Sequence, residues 1–325
     1  MFDFLCRTER NFFYLLRRRM VTFPFYYLLF GGITIFCFVL FLPALIVDLI
    51  ALRLRYLRRI GWGIFYSMWG MIFVTTAIVL FPVRLLLRFF GDDASQAIPG
   101  FLKKLYYTGI ARGFRFLYSV KFHVTGDELL RKDRSYLVFI NHTAFIDPIF
   151  PVEVIMWQRK ITLRHVLWRG LLLDAAIDLG VTGFDEAVVD PDNREEYQED
   201  IRQMTALIAR QKPGHGAAIY PEGGVEAVPG EKKLYENLNN PRIAGMLLFL
   251  EEDEDSDLVF VAHRGLRPGK YPTDIWRGAM TGHTIDMNLR VVPRSEVPED
   301  VDEREKFLIE AWARMDRWIG GGQNG

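Results

Sequence analysis

His142 is followed five positions later by Asp147 and preceded by Asn141. A neutral imidazole, with a pKa of about 6.5, can take a proton from a hydroxyl at neutral pH. A carboxylate at the other ring nitrogen orients the imidazole and stabilises the imidazolium it becomes. Asn141 is placed to fix the turn or to touch substrate. A further cluster, Tyr220-Pro221-Glu222-Gly223-Gly224, offers a carboxylate for substrate hydroxyls. Its two glycines let backbone N–H groups approach a ligand closely. Each cluster alone also fits a plain turn, with a packed histidine in the first and an exposed glutamate in the other. Covalent catalysis has little support: there is no Gly-x-Ser-x-Gly elbow, and the two cysteines, Cys6 and Cys37, both precede these motifs. No glycine-rich phosphate loop carries a lysine, and no two of the six histidines have zinc-ligand spacing. General-base activation of a hydroxyl is the chemistry left.

Both clusters follow apolar β-type runs, 136–140 and 216–220. That spacing puts His142 and Glu222 in turns at strand ends, with Asp147 opening the next helix. Further strands are expected at 120–125, 163–168, 180–184, 257–262 and 284–292. Helices are expected at 145–158, 170–179, 193–211, 243–252 and 304–319. Such alternation predicts a layered α/β domain with a central mixed sheet flanked by helices. The stretch 101–118 mixes Lys103, Lys104, Arg112 and Arg115 with Phe101, Leu105, Tyr106, Phe114 and Leu117. It suits either a helix in an anionic membrane surface or one packed on the domain.

The N-terminal region differs in kind. Residues 1–91 hold eleven arginines, no lysine and three acids, although the whole chain of 325 residues is formally neutral. Residues 20–47 and 60–83 are uncharged runs, each beyond the roughly 20 residues that cross a bilayer core. Two membrane helices are therefore expected, with 1–92 as an anchor and 93–325 as the catalytic domain. Arginines flanking apolar runs argue for a membrane and against nucleic acid. The positive-inside rule places the catalytic domain on the cytoplasmic side, and it asks the same of Arg53, Arg55, Arg58 and Arg59 between the runs. Two full crossings would put those four outside, so either that loop is an exception or one helix re-enters without crossing. Pro24, Pro43 and the Gly31-Gly32 pair permit a bent first helix.

Taken together, these motifs resemble the lysophospholipid/glycerolipid acyltransferase superfamily, which includes 1-acylglycerol-3-phosphate acyltransferase. Its first signature matches Asn141, His142 and Asp147, and its third matches Tyr220 to Gly223. Gly180 to Asp185 resemble signature two, with Glu186 where arginine is usual, and Leu258 to Ala262 resemble signature four. The tail around 288–298 and the Trp312/Asp316 helix are similar to the lysocardiolipin-acyltransferase branch. The resemblance implies a membrane-bound O-acyltransferase with His142 as base and Asp147 as orienting group, and Glu222 and Gly223 helping to bind a lysolipid acceptor. It implies acyl-CoA or acyl-carrier protein as donor and no cofactor. The first acceptor to expect is 1-acylglycerol-3-phosphate; the alternatives are a non-phosphate lipid acceptor or a silent lipid-binding protein. Gly224-Val225 stand where the family often has Thr-Arg or Ser-Arg, so both usual phosphate-contacting cations are missing. Arg164, Arg169, Arg194, Lys232 and Lys233 are the expected substitutes.

Overall fold

A computed structural model describes residues 12–184, 186–190 and 193–321, except the side chains of Phe12, Asp92, Val181, Thr182 and Arg194. Cys6, Arg7, Arg10 and Asp185 lie outside the described residues. Seven strands form one mixed sheet in the order β1-β7-β6-β2-β5-β3-β4. They are β1 (Lys121–Thr125), β2 (Tyr136–Ile140), β3 (Thr162–Trp168), β4 (Ala187–Val189), β5 (His215–Ile219), β6 (Asp257–Arg264) and β7 (Thr284–Val292). β2 runs parallel to both neighbours, β5 and β6, and β7 runs antiparallel to β6.

Side-chain alternation along β2 sorts the core into two layers. Tyr136, Val138 and Ile140 pack under three long helices, α1 (Phe12–Ile50), α2 (Arg55–Leu87) and α3 (Asp92–Tyr118). Leu137 and Phe139 pack on the opposite layer. That layer comprises α6 (Tyr197–Ile208), α7 (Ile243–Glu252) and α9 (Val301–Ile319). On the same side as the three long helices pack α4 (Ile149–Pro151), which continues as a π-helix over Val152–Gln158, α5 (Ala175–Phe184) and α8 (Pro272–Trp276).

One expected strand is a helix. Residues 180–184 end α5, and the edge strand forms three residues later as β4. Val and Thr favour a β reading there, but Asp174 accepts from the amides of Ala176 and Ile177 and starts a helix that runs through them. Arg18 and Arg19 of α1 then bind Asp178 on that helix. The helix expected from 145 begins only at Ile149, so Asp147 lies in the turn before it.

The stretch 101–118 packs on the domain. Lys103 is buried against Glu186, and Arg112 and Arg115 hold the buried Glu153. α2 lies antiparallel along α3, with Trp69 seated over Gly109 and Phe65 over Gly113. A Cβ at either glycine would fall 2.2–2.3 Å from the ring above it, so only glycine admits this close approach. α1 and α2 are 39 and 33 residues long, or roughly 58 and 50 Å at about 1.5 Å per residue. The outer side of α1 is an exposed apolar stripe of Leu28, Ile35, Val39, Leu42, Ile46 and Leu49, a single face at helical spacing.

Candidate active site

β2, β5 and β6 all end at one edge of the sheet, and each delivers one residue there. His142 follows β2, Glu222 follows β5, and His263 lies near the end of β6. Asn141 extends the pairing past the end of β2. Its amide oxygen accepts from His263 N at 2.8 Å, and its amide nitrogen donates to His263 O at 3.1 Å. A side-chain amide thus does what a further backbone peptide would do, and the chain is free to turn. Asn141 is fully buried, so its contacts are to the turn.

His142 Nδ1 lies 3.2 Å from Asp147 Oδ2. The same oxygen accepts from the amides of Thr143 and, at 2.9 Å, Ala144. Asp147 is fully buried, while the His142 side chain is 21% exposed. A carboxylate oxygen needs a donor, so Nδ1 carries the ring proton and Nε2 is left with its lone pair. Behind them His263 Nε2 donates to Asn141 O at 2.8 Å and reaches to 3.4 Å from Asp147 Oδ2. His263 is fully buried and approaches the same carboxylate oxygen as His142.

Glu222 closes the assembly. Its two oxygens accept from His142 N at 2.8 Å and from Asn239 N at 3.0 Å. Burial pushes its carboxyl up to about 7, against the lowering pull of the two amides. Tyr220 lies beside His142, ring centroids 5.0 Å apart and tilted by 48°, and stacks near-parallel to His165 at 6.5 Å. Gly223 adopts φ +73°, a conformation that suits glycine. The absence of a side chain there leaves room for Arg242, whose Nε would lie 2.8 Å from a Cβ on Gly223. Arg242 also donates its backbone N–H to Pro221 O at 2.8 Å. Its guanidinium is exposed and has no carboxylate partner among the described residues. Gly224 follows with open space beside it.

Two of the expected cationic substitutes, Arg164 and Arg169, are committed to other partners. Arg164 is buried and donates to Gln96 and His215, near the start of β5 and away from His142. Arg169 binds Asp190 and Glu196. Lys232 and Lys233 are exposed in the loop between β5 and α7, where Lys233 donates to Glu236 O. The side chain of Arg194 lies outside the described residues. Glu186 is turned inward: Lys103 binds one oxygen and His165 N donates to the other. Burial favours its neutral form, but Lys103 outweighs that and holds its carboxyl down at about 2.

Arg242 and His263 are site residues that sequence spacing does not single out. Arg242 follows Gly223 by nineteen residues, and only the loop return brings them together. His263 immediately follows the apolar run 258–262, a visible signal, but its partner depends on β6 lying beside β2.

No protein-family model matches the sequence, and no curated protein matches it. Among solved structures, the chain is similar to the crystal structure of the 1-acyl-sn-glycerophosphate (LPA) acyltransferase, PlsC, from Thermotoga maritima. The likeness covers 78% of this chain and 96% of that one, at a TM-score of 0.45 and 13% sequence identity.

Proposed function

We propose that this protein is a membrane-associated O-acyltransferase that acylates a lysophospholipid hydroxyl, with 1-acylglycerol-3-phosphate as the first acceptor to test. One observation carries the reading. His142 is held through Nδ1 by a buried carboxylate, which leaves Nε2 as the basic atom of a partly exposed ring at the shared end of β2 and β5. The acceptor oxygen attacks the carbonyl carbon of an acyl thioester, from acyl-CoA or acyl-carrier protein, as Nε2 takes its proton. Collapse breaks the C–S bond, and the imidazolium returns the proton to the thiolate. Asp147 supports the positive ring in between. Asn141, His263 and Glu222 act as positioning residues.

Arg242 is the cation we assign to the acceptor phosphate. A monoester left without a cation would be poorly compensated, and an arginine supplies charge-assisted contacts. Glu186, neutralised by Lys103 within the fold, adds no repulsion. A non-phosphate acceptor is the alternative reading, favoured by the commitment of Arg164 and Arg169 to other partners.

Membrane attachment rests on the apolar face of α1. α2 packs side-on along α3 from the catalytic edge towards the opposite edge of the sheet, so the hairpin fits an insertion that does not cross. The arginines between the two helices then need not lie outside. The test is incubation of membranes holding the full chain with labelled acyl-CoA or acyl-carrier protein, offering lysophosphatidate against neutral and zwitterionic lysolipids. Acylated lysophosphatidate is the expected product. No acyl transfer to any acceptor with either donor would overturn the enzyme reading.

A further inference from the structure

A cavity of about 510 Å³ opens where the α1–α2 turn meets the loop between α8 and β7. Five arginines line it, Arg53, Arg55, Arg58, Arg59 and Arg277, and no lining residue is acidic. None of the five is in an ion pair with a described carboxylate. Arg58 donates to Ser119 Oγ at 3.0 Å, and Arg59 donates to Arg277 O. Arg59 Nε is buried without a partner. The nearby Asp48 is buried and does not line the cavity, and its oxygens accept from the amides of Tyr56 and Leu57. Like charges gathered in a concave site repel one another and concentrate anions. The volume falls in the range of sites for small organic ligands, about 300–1,000 Å³, and exceeds what a bare ion needs.

The rim identifies the anion. Ile50, Leu52 and Leu54 stand beside the arginines with 79%, 92% and 58% of their surface exposed. Cationic lining under an apolar rim matches an amphiphile whose phosphate lies at the boundary between headgroup and chain. We infer that this cavity binds the phosphate of an anionic phospholipid, separately from the acceptor site at His142. The inference stands on the cavity and does not require acyl transfer. Acyl-CoA presents the same phosphate chemistry, so its binding must be distinguished from that of lipid.

The test uses the full chain in uncharged detergent micelles, titrated with dioleoyl phosphatidylglycerol or dioleoyl phosphatidylcholine, with affinity read from lipid-induced thermal stabilisation. The expected result is saturable stabilisation by phosphatidylglycerol alone, weakened by salt. The triple variant Arg53→Gln/Arg55→Gln/Arg277→Gln should bind roughly a hundredfold more weakly, from about fivefold per arginine at an anionic lipid surface. Arg277→Gln alone, farther from the helix turn, should show the smaller loss and guards against misfolding of the triple variant. His142→Ala should bind as the parent does, which separates this site from the catalytic one. Inorganic phosphate and free CoA should not compete at equal concentration. Competition by CoA would overturn the lipid assignment, and undiminished binding by both arginine variants would overturn the site.

Discussion

Among the buried carboxylates of this domain, two pairs are satisfied in opposite ways. Glu186 and Glu153 are paired with cations: Lys103 on the first, Arg112 and Arg115 on the other. Asp147 and Glu222 take hydrogen bonds from backbone amides, and histidines are their nearest titratable neighbours. A cation cancels the charge it binds. Amide dipoles hold a carboxylate in place but leave its charge available to a ring that becomes positive. The cation-held pair fastens α3 to the domain, whereas in the proposed mechanism the amide-held Asp147 would keep its charge beside the ring that takes the proton.

The strongest way to break that contrast is at the base. His142→Ala should lower acyl transfer by roughly 10²–10⁴ while the chain stays folded, read as initial rate beside a circular dichroism melt. Asp147→Asn should also be severe, because it disturbs the tautomer and removes the charge facing the imidazolium. Near-parental rates in folded His142→Ala would end the mechanism.

The cation-held side is broken by Glu186→Gln, which leaves Lys103 buried without its counter-charge. Truncating one member of a buried pair costs about 3–5 kcal/mol, measurable by denaturant unfolding. Activity per folded molecule should change far less than stability, and the reverse would move Glu186 into the site. Arg242→Gln should raise KM for lysophosphatidate roughly 10–100-fold, the worth of one charge-assisted contact. It should leave kcat and the KM of a neutral lysolipid nearly unchanged. An equal KM rise for both acceptors would show that Arg242 does not read phosphate.

The last measurement sharpens the comparison through pH. Glu222 is raised from an ordinary 4.5 to about 7, so the folded chain holds its proton more tightly than the unfolded chain does. Its contribution is complete below about pH 4.5 and is lost as pH rises through 7. Glu186 is lowered from 4.5 to about 2, so its contribution is present above 4.5 and is lost as pH falls through 2. The variants Glu222→Gln and Glu186→Gln should therefore flatten stability in opposite windows. A shared window for both would erase the distinction between amide-held and cation-held carboxylates.

Much of the fold is legible from local pattern. β2 and β7 fall on the expected residues, because alternation and β-branched runs are local signals. The His142–Asp147 pair is legible because both residues lie within one turn. The segment 180–184 is not: its β-branched residues read as strand, while the Asp174 cap and the contact of Asp178 with Arg18 and Arg19, about 160 residues away, belong to a helix. Sequence proximity to the motifs also points to Arg164 and Arg169, which the fold commits to other partners. Arg242 reaches Gly223 only because the loop returns through Asn239 to Glu222. Charge composition could suggest that Lys103 lies on a membrane face. Only the position of β4 reveals that it is buried against Glu186.

Trp69 and Phe65, seated on Gly109 and Gly113, also bear on how the proposed membrane hairpin would sit. The α2 half of the hairpin is held against α3 by these two contacts, which ties the start of α2 to the end of α3 that leads into β1. With the α1 stripe in the lipid, the catalytic edge would be held at a constant height over one leaflet. An acceptor would then be found by diffusion in two dimensions, and encounter frequency would follow its density in the leaflet rather than its concentration in water.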